Sequence, residues 1–317
     1  MKGVLFLVFV SMNILLGSDT VFSQDVQVFE ADNRDGRITP ETIEKAFEDA
    51  GFVIGANNDM NRPFRRDFGK THTDIYHLMV VYRKDTIFAL AKSYPELGLF
   101  TPFSMSVYTP KGKKSVAVAI LRVEIMADLM GVPRNHPAIQ RLKKQIEKAL
   151  RKAMPNGEYK RLSYVSRKAK QDVVTRYTFI LKGKDIEDAK DRFEEIFEEA
   201  MGKEGFVMAG FTDIGYELEE RHMDMYDFYD VYSICKIPVI YEVSKQHPEA
   251  GAFAPCSAYL YKKKGEETVH MAFPNVYKWI ASLHITDKNS LDVLLDAQKR
   301  FERVLEMLRR RYMMNKN

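Results

Sequence analysis

One stretch of this chain occurs twice. Residues 94–108 read YPELGLFTPFSMSVY, and residues 247–261 read HPEAGAFAPCSAYLY. A single offset of 153 residues pairs Pro95 with Pro248, Glu96 with Glu249, Gly98 with Gly251 and Phe100 with Phe253. It also pairs Pro102 with Pro255, Ser104 with Ser257 and Tyr108 with Tyr261. A repeat of this kind limits the chain to folds built from a duplicated unit. Each copy reads as a helix end, Pro, an acid, Gly, an aromatic, a second Pro and an alternating strand. The first Pro turns the preceding residue away from helical dihedrals. The Gly suits a reversal through positive φ. The second Pro lacks an N–H and belongs at a strand start or on an edge. The corner then has two readings. It is a helix-to-strand turn kept because the unit is duplicated, or it is a ligand-facing rim. In the second reading the candidate binding residues are Phe100, Pro102, Tyr108, Phe253, Pro255 and Tyr261.

The flanking sequence repeats in the same order. GFVIGA at 51–56 returns as GFVMAG at 205–210, and YHLMVVY at 76–82 as YDVYSIC at 229–235. Ile139, Leu142, Ile146, Ala149 and Leu150 recur at intervals that put them on one helix face. Phe193, Phe197 and Ala200 do so in the second half, after a cap at Asp185. Residues 56–74 are polar and read as a loop. Met154-Pro155-Asn156-Gly157 reads as the boundary between repeats. The expected fold is α+β, with two tandem repeats over 24–155 and 156–317. Each repeat has its own hydrophobic interior and a mostly antiparallel or mixed sheet of about five strands, with helices on one face.

The second copy, YSICKIPVIYEVSKQHPEAGAFAPCSAYLY at 232–261, resembles the domain of unknown function 302 family. That family shows a Cys-x-Pro element after one strand and a Pro-Cys element opening the next. Here these correspond to Cys235 with Pro238, displaced by one residue, and to Pro255 with Cys256. The first copy resembles a diverged member, with Tyr82 and Phe103 at the cysteine positions. The resemblance implies a small α+β domain and no established activity.

Lys2 followed by the apolar run 4–16 reads as a secretory signal over residues 1–23, cleaved after Ser23. The run is too short to span a bilayer, and no second long apolar run follows. A periplasmic or secreted protein is expected, which makes nucleic acid an improbable partner. The net charge of +4 hides an uneven distribution. Residues 141–170 carry 11 Lys/Arg against two Glu, a stretch that would meet an anionic surface or an envelope protein.

The motifs of hydrolases, nucleotide-binding folds, zincins and covalent haem attachment are absent. The two cysteines, Cys235 and Cys256, are either a disulfide, a redox or metal-binding thiol pair, or two small buried thiols. If their strands run parallel, they lie at opposite ends of the sheet. His222, Met223 and Met225 are the weak candidates for soft-metal ligation. His72 and His77 read as exposed histidines. The sequence does not identify a cofactor. The leading expectation is a non-enzymatic binding module for a small apolar or cofactor-like ligand. A thiol-based protein and an envelope interaction protein are the alternatives.

Overall fold

The computed structural model describes residues 24–181 and 185–313. The expected signal segment lies outside the described residues. The first half runs β1 (Val26–Asp32), α1 (Pro40–Asp49), β2 (Val53–Asp59), α2 (Asn61–Phe68), β3 (Thr73–Tyr82) and α3 (Lys84–Leu90). After a 3-10 helix at Pro95–Leu99 come β4 (Phe103–Pro110), β5 (Ser115–Leu121), α4 (Val123–Leu129), α5 (Pro137–Ala153) and β6 (Glu158–Lys160). The second half runs β7 (Val174–Ile180), α6 (Ile186–Lys203), β8 (Val207–Asp213), α7 (Ile214–Glu219), β9 (Tyr226–Cys235) and α8 (Ile237–Val243). A second 3-10 helix at Pro248–Phe253 leads to β10 (Cys256–Lys263), β11 (Thr268–Pro274), α9 (Val276–Ser282) and α10 (Lys288–Met313). No helix among the described residues is long and apolar enough to cross a membrane.

The two sheets share one plan. The first has strand order β2-β3-β4-β5-β1-β6 and the second β7-β11-β10-β9-β8, with every described pairing antiparallel. Read from the β2 and β8 edges, five strands correspond one to one. The bulges correspond too, between Ile54 and Ala56 and between Met208 and Gly210. The sixth strand, β6, follows the expected boundary and adds to β1, so the connection is sheet rather than free linker. The segment read as a polar loop forms most of β2 and all of α2. Phe64 and Phe68 anchor α2 against Tyr241 of the other half, and this contact is invisible to local periodicity.

The halves meet sheet to sheet through the repeated stretch. Tyr76 Oη donates to the Pro248 carbonyl at 3.1 Å, and its counterpart Tyr229 donates to the Pro95 carbonyl. Ser104 Oγ donates to the Pro255 carbonyl at 2.7 Å, and Ser257 Oγ to the Pro102 carbonyl at 2.8 Å. Each bond is the other's partner under the offset of 153, so the halves are related by a local twofold. The bonds Thr101–Pro102 and Ala254–Pro255 are both cis. Leu97 and Leu99 are buried, each contributing about 1.5–3 kcal/mol. Alternate strand residues face the helices and the opposite sheet, and the apolar interior is one continuous cluster through both halves. Separate interiors, expected from the repeat, do not form, because each sheet's second face is covered by the other half.

Candidate functional site

The edge strands β2 and β8 cross where the halves meet. A Cβ placed on Gly210 would lie 4.0 Å from the Gly55 carbonyl oxygen. Beyond the crossing the edges part and leave an open groove of about 680 Å³. Its floor is apolar, from Leu78 of the first half and Met208, Ile237 and Pro255 of the second. Its rim is polar, from Glu41 and Glu44 on α1, Asn57 and Asp59 on β2, His77 on β3 and Arg62 on α2. Cys235 lines it at the end of β9. The groove's size and its location between two units are usual features of a small-molecule site.

The polar side is connected. Asn57 Nδ2 donates to Glu44 Oε2 at 2.5 Å, which turns the Asn57 carbonyl oxygen toward His77 Nδ1 at 2.8 Å. An oxygen acceptor there fixes the proton on Nδ1 and leaves the Nε2 lone pair free. Burial holds the imidazole below its ordinary value, against the opposing pull of Asp59 and Glu41. The ring is therefore neutral at pH 7. A hydrogen bond from Thr39 holds Glu41 below the ordinary carboxylate range. Asp59 accepts from the Asn61 N–H at 2.9 Å and faces Arg62 at 3.4 Å. Three carboxylates and one guanidinium thus line the rim, leaving it net negative.

The local twofold predicts a second groove on the opposite side, but there the space is taken. Tyr82 stands where the second half has Cys235, as the pairings Val53–Tyr82 and Val207–Cys235 establish. Tyr82 Oη donates to Glu217 Oε1 at 3.1 Å, and Lys84 Nζ lies 2.7 Å from Glu217 Oε2. Where His77 opens onto the groove, the second half has the wholly buried Asp230. Lys190 Nζ is 2.6 Å from Asp230 Oδ2, while Oδ1 has no hydrogen-bond partner. Burial pushes this carboxyl up to about 7, with Lys190 opposing.

Of the residues the sequence singled out, Pro255 and Cys235 line the groove. Phe100, Phe253, Tyr108 and Tyr261 are buried. Phe253 stacks on Trp279 at 5.6 Å, and Tyr261 on His270 at 4.9 Å. Pro102 corresponds to Pro255 on the occupied side, where its carbonyl receives Ser257. β9 and β10 are neighbours and antiparallel, so Cys235 and Cys256 lie at the same end of the sheet, not at opposite ends. Both are free thiols. Burial pushes each up to about 12, so neither is a thiolate at pH 7. Among the described residues no group of three His, Cys, Asp or Glu side chains is placed to hold a metal. His77, expected on the open surface, is part-buried at the groove, and His72 packs its ring on Tyr241 at 4.4 Å. Sequence reading missed Glu44, Asn57 and Asp59. The only available signal was that GFVIGA and GFVMAG lead into different chemistry, Asn-Asn-Asp against Phe-Thr-Asp.

These features define a class: an α+β protein of two like-ordered halves joined face to face, with a groove kept open on one side. Residues 178–308, most of the second half, match the family described as Domain of unknown function DUF302. Among solved structures, the crystal structure of an uncharacterized conserved protein DUF302 from Bacillus stearothermophilus is similar. It has 21% sequence identity and a TM-score of 0.35, over 42% of this chain and 98% of that one. No curated protein matches.

Proposed function

We propose that this chain is a binding protein for a small cationic molecule held in the groove between its halves. We also propose that the first half is a diverged copy of the domain matched in the second. The observation that carries the binding reading is the open groove of about 680 Å³, with an apolar floor and a net-negative rim. An organic cation would set its charge against Glu41 and Glu44 and its hydrocarbon against Met208, Ile237 and Pro255. Neutral His77, with Nε2 as acceptor, would take a hydrogen bond from an ammonium N–H. The protonated thiols favour this reading over a thiol-redox one. The apolar run at 4–16 supports an exported, periplasmic location.

Titration calorimetry with hexylammonium and hexanoate tests the reading. Hexylammonium is expected to bind and hexanoate not. Glu44→Gln is expected to weaken hexylammonium about tenfold, the usual effect of losing one charged hydrogen-bond partner. Equal binding of both ions, or indifference to Glu44→Gln, would remove the reading.

A further inference from the structure

Behind the groove lies a second space. A small apolar space of about 50 Å³ sits between the second sheet and its helices, lined among others by Cys235, Cys256, Phe273, Trp279 and Phe301. Cys235 lines both spaces. Around it the chain alternates, with Ile237 and Pro255 facing the groove and Ile234, Lys236, Ala254 and Cys256 facing the cavity. Cys235 is therefore the residue that the two spaces share. The β9–β10 ladder ends at the Ile234–Cys256 pair, and beyond it Cys235 is strand-paired on its other side alone, with Val207 of β8.

The cavity does not favour water. A buried water needs two to four polar partners. The Gln298 amide is already used, accepting from the Val276 N–H at 3.1 Å and donating to Glu302 at 2.7 Å. Lys236 Nζ is turned to the Glu204 carbonyl. The Trp279 indole N–H is turned toward the Cys256 sulfur. In the first half both cysteine positions carry large rings. Tyr82 reaches Glu217, and Phe103 packs edge-on against Phe52 at 6.1 Å. The two thiols are thus small residues at the two points where the first half is filled.

Resting on the groove reading above, we propose that the ligand is an amphiphile, with a cationic head on the acidic rim and an unbranched hydrocarbon tail that passes Cys235 into the cavity. Cys235 and Cys256 then serve by their small size and apolar surface rather than by sulfur chemistry. The tail end comes to rest beside Trp279.

Trp279 is the sole tryptophan of the chain, so its fluorescence reports arrival of the tail. The test uses n-alkylammonium ions from butyl to dodecyl, each with and without a terminal bromine as a short-range quencher. Affinity is expected to rise about fourfold per methylene beyond hexyl until the cavity is filled. Brominated dodecylammonium should quench Trp279, and brominated butylammonium should not. Cys235→Tyr, which copies the first half, should collapse the ratio of dodecyl to butyl affinity. The wild-type quenching series stands by itself if that variant does not fold. Butylammonium binding with no gain from longer tails and no quenching overturns the amphiphile and leaves the groove reading intact. Absence of binding by every ammonium ion overturns both. Equal binding of dodecyl sulfate overturns the cationic head.

Discussion

At the scale of single residues, the repeated glycines have a different reason from the one their sequence suggests. Neither Gly98 nor Gly251 has positive φ. Each is pressed against the other half. A Cβ on Gly251 would lie 2.4 Å from Ser106 Cβ, and one on Gly98 would lie 2.7 Å from Tyr259 Cβ. Conformational freedom was legible from the residue type, whereas close approach required a partner more than a hundred residues away. Gly251→Ala is expected to destabilise the protein by about 1–3 kcal/mol through overpacking. Gly202→Ala, in open space on α6, is expected to be neutral or stabilising by about 0.5–1 kcal/mol. Urea unfolding of the two variants distinguishes the causes. A harmless Gly251→Ala would show that the halves are not packed this closely.

At the scale of elements, most helices and strands follow from their own sequences. Thr39 caps α1 through the Thr42 N–H at 3.3 Å, and Pro137 opens α5 where its pattern begins. α2, read from the sequence as part of a loop, departs from this, since its apolar residues find their partner on α8 of the other half. The contact of α6 with β9 gives a pH dependence. Asp230 on β9 lies under Lys190 of α6, and burial raises its carboxyl to about 7 from an ordinary 3.8. The folded state therefore holds this proton more tightly than the unfolded state. Between about pH 4 and pH 7 the unfolded state binds fewer protons, so this group makes stability fall as pH rises through that window. Denaturant midpoints at pH 5 and pH 8 should show a larger decline for the natural protein than for Asp230→Asn. Parallel declines would sink the assignment.

At the scale of the whole molecule, the two sheets supply each other's missing layer. Cut within the chain between Lys160 and Val174, each half would expose a sheet face that the intact protein buries. Separately expressed halves are expected to self-associate or precipitate, while co-expressed halves should pair into one soluble complex. Sedimentation velocity decides it, and a folded, monomeric, isolated half would contradict the packing. The groove belongs to this scale too, because its walls come from both halves and neither wall closes a site alone.

The sequence by itself determined the repeated stretch, the strands that follow it and the caps at Thr39 and Asp185, because these rest on local dihedral preference and on periodicity within a few turns. It also marked Cys235 and Pro255, since both stand in the repeated frame. Only the tertiary structure decided that the repeated corners face inward, that the interior is continuous and that one of two equivalent grooves stays open. Those outcomes depend on which side chain meets which across the local twofold. Tyr82 against Glu217 fills one side and Cys235 leaves the other free, and that difference in volume is expressed only when the halves are packed together.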